Sequence, residues 1–312
     1  MNSKTHLIKC IFCEENTQHI QLDQYANYTL IQCTKCKIIR KEIKNLNEKK
    51  IQYLQDIVYD NLDVRTQTKF TMNLAVERLQ KVKKYLSKGN LLEIGCATGE
   101  FIQVATDSGY HTIGVDSSKL YSEFAKRKGL NVFCANLEEM EFKDPFDMIV
   151  MFHLIEHIHN PKQFLKKIHA LISKSGLLYI ITPNTNGLMD KPFGFRHPLY
   201  IQPDHLFFFS KATLSNLLVS GGFKIVEVST RETPHNFFGS LKGYFAGIVK
   251  RKNKNFDPVP PLLHKKRSFI KRVIDKTLYI AGFLFYPVLK PLALIAQKND
   301  RGHELIIIAR KI

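Results

Sequence analysis

The chain contains no run of eighteen or more apolar residues, while a membrane-spanning helix needs about 20. Its first residues, Met1-Asn2-Ser3-Lys4-Thr5-His6, include no apolar stretch and no small-residue cleavage site, so a secreted protein is not expected. Cysteine is scarce. Of the 6 cysteines in 312 residues, four form two tight pairs near the N-terminus, and Cys96 and Cys134 stand alone among apolar neighbours. An extracellular disulfide scaffold does not distribute its cysteines this way, and a reducing cytoplasm suits the pattern better. Acidic residues are also few, 28 against 46 Lys and Arg, which leaves a net charge of +18. The excess is local: residues 232–303 hold 14 basic and 4 acidic side chains. Such a segment predicts an anionic partner for itself and argues against a nucleic-acid groove along the whole chain. Apolar residues make up 44% and charged residues 24%, enough to bury a core and too ordered a composition for a disordered chain. The length fits a catalytic domain with one or two appendages.

The paired cysteines read Cys10-Ile11-Phe12-Cys13 and Cys33-Thr34-Lys35-Cys36. Two thiolates two residues apart on a tight turn point at one centre, and two such turns supply the tetrahedral set that Zn2+ prefers. The pattern predicts a zinc ribbon over 1–45, with Cys10, Cys13, Cys33 and Cys36 as ligands and strands between Ile20 and Ile31. Four thiols without metal, or a redox dithiol in one pair, are the other readings. With all four positions taken by sulfur, the metal would hold the fold together and do no chemistry.

Residues 46–88 read as a lysine-rich helical linker or lid. An apolar strand, Leu91 to Ile94, then runs into Gly95-Cys96-Ala97-Thr98-Gly99 and a helix from Glu100 to Asp107. Strand, glycine turn and helix open a doubly wound α/β sheet, in which the turn lets backbone approach a ligand at the helix N-terminus. A second strand, His111 to Val115, ends at Asp116, where an acid in such folds accepts hydrogen bonds from ribose hydroxyls. The turn is Gly-x-Ala-x-Gly, not the Gly-x-Gly-x-x-Gly of dinucleotide sites. That predicts a nucleoside cofactor without a pyrophosphate.

These residues resemble the first motif of the class I S-adenosylmethionine-dependent methyltransferases, whose acidic-x-Gly-x-Gly-x-Gly pattern is filled by Glu93, Gly95, Ala97 and Gly99. Asp116 resembles the ribose-binding acid of the second motif. Ala135-Asn136-Leu137 is similar to the adenine-contacting turn, with Asn136 where the family usually has Asp. Phe146 to His153 looks like the fourth strand, Leu154-Ile155-Glu156-His157-Ile158 like the stretch that follows it, and Ser175 to Asn184 like the fifth strand. Gly222 to Val228 and Glu304 to Arg310 are similar to the final hairpin. The resemblance covers roughly 70–231 and 303–312. It implies a Rossmann-like seven-stranded sheet, S-adenosylmethionine as donor, and cofactor contacts from Glu93, Gly95, Cys96, Ala97, Gly99, Asp116, Ser117, Asn136, Leu137 and Phe152. A ribbon leader on such a domain is similar to bacterial methyltransferases that act on sugars, glycans or secondary metabolites.

Acceptor groups are expected at the C-terminal edge of the sheet. His153 follows the fourth strand directly, with Glu156 and His157 behind it, while His197 and His205 lie in the connection 184–210, long enough to cover a substrate. His153, His157 and His205 are the candidate catalytic residues, because an imidazole accepts a proton near neutral pH. The order His153-x-x-Glu156-His157 differs from that of zinc proteases. Glu156 and His157 also fit a role capping or bracing the next helix, and Cys96 and Cys134 fit packing. Residues 89–231 and 303–312 would form the methyltransferase domain, with 232–302 a basic helical insertion before the last strand. Its cations beside Leu278 to Leu289 suit either peripheral contact with an anionic membrane or a cap over the site.

The expected activity is methyl transfer to oxygen or carbon of a small-molecule or lipid-linked acceptor, a sugar, glycan or related metabolite. RNA methylation, with the zinc ribbon and basic insertion holding the nucleic acid, is a second reading, against which the chain after the fourth strand reads Met151-Phe152-His153-Leu154, without the Asn/Asp-Pro-Pro-aromatic motif of base-amine enzymes. Quinone O-methylation is a third. A binding module without turnover is disfavoured by the intact turn and Asp116.

Overall fold

A computed structural model describes residues 5–25, 28–43, 69–188, 194–202, 204–232, 287–288 and 290–312. Residues 46–68 of the linker expected over 46–88, and most of the basic insertion, 233–286, lie outside the described residues. The chain divides into two compact units: residues 1–58, 183–213 and 229–306 supply one, and 59–182, 214–228 and 307–312 the other.

The first unit is built on antiparallel strands β1 (Thr5–Lys9), β2 (Asn16–Gln24), β3 (Tyr28–Cys33) and β4 (Ile39–Ile43). The sheet has a fifth member, β10 (Phe207–Phe208), which pairs antiparallel with β4, Phe207 opposite Arg40 and Phe208 opposite Ile39. The connection expected only to cover a substrate therefore ends as an edge strand of the ribbon. The cause is apolar: Tyr28, Leu30, Leu199, Tyr200 and Phe208 form one buried cluster, with α5 (Pro198–Ile201) supplying two of its members. Phe12, inside the first cysteine turn, meets Phe207 and Phe209 edge-on at 5.2 and 6.3 Å.

The second unit holds a seven-stranded sheet in the order β11-β12-β9-β8-β5-β6-β7. The strands are β5 (Asn90–Ile94), β6 (His111–Asp116), β7 (Val132–Cys134), β8 (Phe146–Phe152), β9 (Ile172–Pro183), β11 (Phe223–Arg231) and β12 (Glu304–Lys311). Pairings β7–β6–β5–β8–β9 are all parallel. Strands covered on both faces read as continuous apolar runs, and Leu91, Leu92, Met148, Ile149 and Val150 are fully buried. Helices α1 (Lys69–Lys83), α2 (Glu100–Asp107), α3 (Lys119–Arg127), α4 (Pro161–Leu171) and α6 (Lys211–Ser220) lie between or beside the strands in sequence. Helix α1 buries Ala75, Leu79 and Val82, one face at helical spacing, and packs beside α2. Capping is local. Ser118 accepts from Tyr121 N at the start of α3, and Asn160 accepts from Gln163 N before Pro161 in α4. The cap of α4 is thus Asn160, not Glu156 or His157. No helix among the described residues is long and apolar enough to cross a membrane.

Candidate active site

The sheet brings the glycine turn, Asp116 and the end of β8 to one edge, because β5 is flanked in parallel by β6 and β8. The turn after β5 has left-handed backbone at Gly95 (φ 73°), Ala97 (φ 45°) and Gly99 (φ 79°), a region that costs a non-glycine residue energy. A Cβ on Gly99 would stand 2.5 Å from Leu130 Cδ1 and 3.3 Å from Ala125 Cβ, so this glycine serves close helix packing. On Gly95 a Cβ would come 3.2 Å from Leu154 Cδ1. The Cys96 side chain turns inward, clustered with Ile102, Ala125, Leu130 and Val132, and burial pushes its thiol well up. Cys134 differs from the expected packing role. It sits exposed at the end of β7, the three-residue edge strand of the sheet, its Sγ 3.8 Å from Ser117 O.

Asp116 is buried at the tip of β6. Its Oδ2 accepts from Ala97 N at 2.8 Å and its Oδ1 from Ser118 N at 2.9 Å. Burial pushes its pKa up, and those two N–H groups oppose the shift. A carboxylate offers about four lone-pair sites, so the two bonds fix its orientation and leave acceptor capacity for two hydroxyls. Glu93 is 4% exposed, and its Oε2 has no hydrogen-bond partner among the described residues. Burial raises its pKa well above the carboxylate range, against the pull of the Arg78 charge. An orphaned buried carboxylate oxygen is costly and calls for a cationic or N–H partner. Arg78, on α1, lays its Cζ 4.2 Å from the centroid of Phe152, whose edges meet Phe101 and Tyr179 at 5.2 Å. This arginine was not singled out in the sequence, where it stands in the stretch read as a linker; the only signal was its place beside the Ala75-Leu79-Val82 face. After β7, Leu137 is buried and Asn136 is exposed, its amide donating to Glu139 Oε1 at 3.0 Å.

His153 ends β8 with φ 54°, and its N–H donates to Ile181 O at 2.7 Å. A histidine held in left-handed backbone by β9 is a strained placement. Its Nδ1 lies 3.6 Å from Glu156 Oε1, and His157 Nε2 lies 4.0 Å from the same oxygen. Glu156 is 1% exposed and its Oε2 accepts from Thr182 Oγ1 at 2.9 Å. The short turn Ile155–His157 thus sets a buried carboxylate between two imidazoles, of which His153 is the more exposed. Thr182, the residue that orients Glu156, was also missed. His205 belongs to the ribbon unit, its Nδ1 3.2 Å from Leu199 O. His197, in the same unit, accepts from Leu199 N at 3.2 Å, and burial together with His303 pushes it down to about 3; it is a neutral structural group.

In the ribbon, Cys10 and Cys36 Sγ are 3.7 Å apart and Cys13 and Cys33 Sγ 3.9 Å, with all four within 4.8 Å of one another. A tetrahedral Zn2+ with Zn–S of about 2.3 Å requires sulfurs about 3.8 Å apart, so the donor set fits. Both turns place the residue after the second cysteine, Glu14 and Lys37, at φ near 62°. Cys10 is pushed down to about 4, chiefly by a hydrogen bond from Cys36, which is pushed up in turn.

A family model described as a methyltransferase domain matches residues 69–228. The chain belongs to the methyltransferases. The match takes in the glycine turn, Asp116 and the β8 histidines, and the class is the S-adenosylmethionine-dependent one with a Rossmann-like sheet. Among similar proteins, a ubiquinone biosynthesis O-methyltransferase of Pelagibacter ubique is 25% identical over 150 residues, 46% of this chain and 56% of the relative. Another so named, from a Bradyrhizobium species, is 30% identical over 117 residues, 35% of this chain and 46% of the relative. The chain spans about half the length of the relatives it matches. A solved structure of 1,6-didemethyltoxoflavin-N1-methyltransferase from Burkholderia thailandensis, holding 1,6-didemethyltoxoflavin and S-adenosylhomocysteine, aligns with TM-score 0.50 at 16% identity over 92% of this chain and 98% of that one. At that identity the likeness is one of fold.

Proposed function

We propose that this methyltransferase moves a methyl group from S-adenosylmethionine to oxygen or carbon of a small-molecule or lipid-linked acceptor, such as a sugar, glycan or related metabolite. The buried, unpartnered Glu93 Oε2 beside the glycine turn carries the donor reading, because the amino acid end of this cofactor supplies an ammonium to meet it. Arg78 is suited to the cofactor carboxylate, Asp116 to the ribose hydroxyls, and Asn136 and Leu137 to the adenine. Gly95, Cys96, Ala97, Gly99 and Ser117 offer backbone, and Phe152 closes the floor of the site. When bound, the donor supplies an electrophilic methyl group on a sulfonium.

The chain's own residues handle the proton. His153, more than a third exposed while its Nδ1 faces buried Glu156, accepts the acceptor's proton at Nε2. Glu156, oriented by Thr182, holds the ring and stabilises the imidazolium. His157 and His205 are the other groups proposed to take part in catalysis. Asp116→Ala and Gly95→Arg are expected to lower calorimetric affinity for S-adenosylhomocysteine at least about 10-fold, or about 1.4 kcal/mol; full affinity in both variants refutes the donor reading.

The names of the relatives favour one more specific reading, O-methylation of a quinone-type acceptor. RNA methylation has no comparable support. The cysteine set is proposed to hold a structural Zn2+. A cytoplasmic enzyme at the inner face of an anionic membrane is in keeping with the basic insertion and with α7 (290–298), which exposes Leu292, Leu294 and Ile295 beside Lys290 and Lys298.

A further inference from the structure

Strand β5 carries one residue that packing does not explain. Leu91, Leu92 and Ile94 are the apolar residues expected of a strand covered on both faces, and among them stands Glu93, 4% exposed. In register it lies beside Gly114 of β6 and Val150 of β8, so neither neighbouring strand offers a polar side chain there. The N–H of Ile102, in α2, hydrogen-bonds the carboxyl, and Oε2 has no hydrogen-bond partner among the described residues.

The charges around it are mixed. Glu100 of α2 and Asp116 of β6 repel a negative charge at this place, and Arg78 of α1 attracts one without bonding to Oε2. The Cys96 thiol, also close, is held neutral by burial. Desolvation outweighs all of these and raises the Glu93 pKa well above the usual carboxylate range. A carboxyl so placed keeps its proton, because a buried ion short of hydrogen bonds is the less stable form. Asp116 is different, since an N–H group holds each of its oxygens.

We propose that Glu93 is a specificity-determining residue that gives up a proton when the amino acid end of the donor arrives, so that the site reads the ligand's ammonium group. The inference rests on the donor reading above and deepens it by naming how ligands with that end are told from adenosine thioethers that lack it. The exchange balances: a carboxylic acid and an ammonium become a carboxylate–ammonium pair, and one H+ leaves to solvent. A thioether without the amine leaves the acid protonated. Preference for the amine therefore grows as pH rises, because the proton is then lost before binding and no longer has to be displaced.

Titration calorimetry of the full-length protein at about pH 6, in buffers of different ionisation heat, counts the protons released. The amine of S-adenosylhomocysteine, with an ordinary pKa of about 8, is already charged there. This ligand should release close to one proton, and 5′-methylthioadenosine none. As pH rises, affinity for the first should tighten by up to about 10-fold per pH unit, the slope of one proton, and level off once Glu93 is ionised beforehand. Affinity for the second should not follow that slope. Glu93→Gln should abolish the release and weaken S-adenosylhomocysteine most at the higher pH. Binding of S-adenosylhomocysteine with no proton released overturns the proposal. So does equal release with both ligands, which would put the proton on Asp116 or another group at the nucleoside. Both of these outcomes are read on the unaltered protein and stand whether or not Glu93→Gln folds. A protein with no affinity for S-adenosylhomocysteine is a distinct result, which refutes the donor reading and this inference with it.

Discussion

Arg78 shows how a side chain central to the proposed site can be illegible in the sequence. Its charge faces Glu93 and its plane covers Phe152, yet along the chain it is one more cation in a lysine-rich helix. If it meets the cofactor's carboxylate, Arg78→Met should weaken S-adenosylhomocysteine at least about 10-fold and leave 5′-methylthioadenosine, which lacks the amino acid end, unchanged. Equal losses for both ligands would mean that the variant had merely disturbed the site. Ala97 supplies a second case. It stands at φ 45° where the resembling pattern has glycine, and left-handed backbone costs an L-residue about 1–2 kcal/mol. Ala97→Gly should therefore raise stability by about 1 kcal/mol, net of the glycine's greater freedom when unfolded. A lower midpoint in denaturant would contradict the strain.

At the scale of elements, helix packing against the sheet sets what the glycine turn tolerates. A methyl on Gly99 meets Leu130 and Ala125 as well as a forbidden φ, so Gly99→Ala should cost about 2–4 kcal/mol, read as a fall in unfolding midpoint. Strands β5, β6, β8 and β9, helix α2 and the order of the motifs were legible because each is a local pattern: an apolar run, a glycine turn, an acid at a strand tip. The fate of 198–208 was not. Nothing in Phe207-Phe208-Phe209 says that two residues will pair with Arg40 and Ile39, since that preference comes from a cluster of side chains far apart in sequence. Thr182 was hidden for the same reason, its value lying in a carboxylate 26 positions away. His197 belongs to this connection too. It is held neutral in the fold, near 3, whereas the unfolded chain protonates it near its ordinary value of about 6.5. The unfolded state binds the proton first, so stability is full above about pH 6.5 and falls as pH drops toward 3. His197→Asn, which keeps an acceptor for Leu199 N, should flatten that slope in a pH series of thermal melts.

For the whole molecule, the four thiols are where the proposed zinc would bring chemistry from outside the chain into folding. Emission spectroscopy of purified protein should find one zinc per chain, and a strong chelator or Cys36→Ser should lower the melting temperature. A metal-free protein with an unchanged melt would leave the thiols as plain packing. Because β10 completes the ribbon sheet, residues 5–43 cannot be regarded as a bead threaded ahead of an independent enzyme. They leave the ribosome before Phe207, which emerges about 160 residues later to pair with the open side of β4. The cysteine turns can close early around a metal, but the apolar face between Tyr28 and Ile39 stays uncovered until 198–208 has been made. That interval is when the nascent chain is most exposed to aggregation, and trimming either end of this long-range pairing would make the exposure permanent.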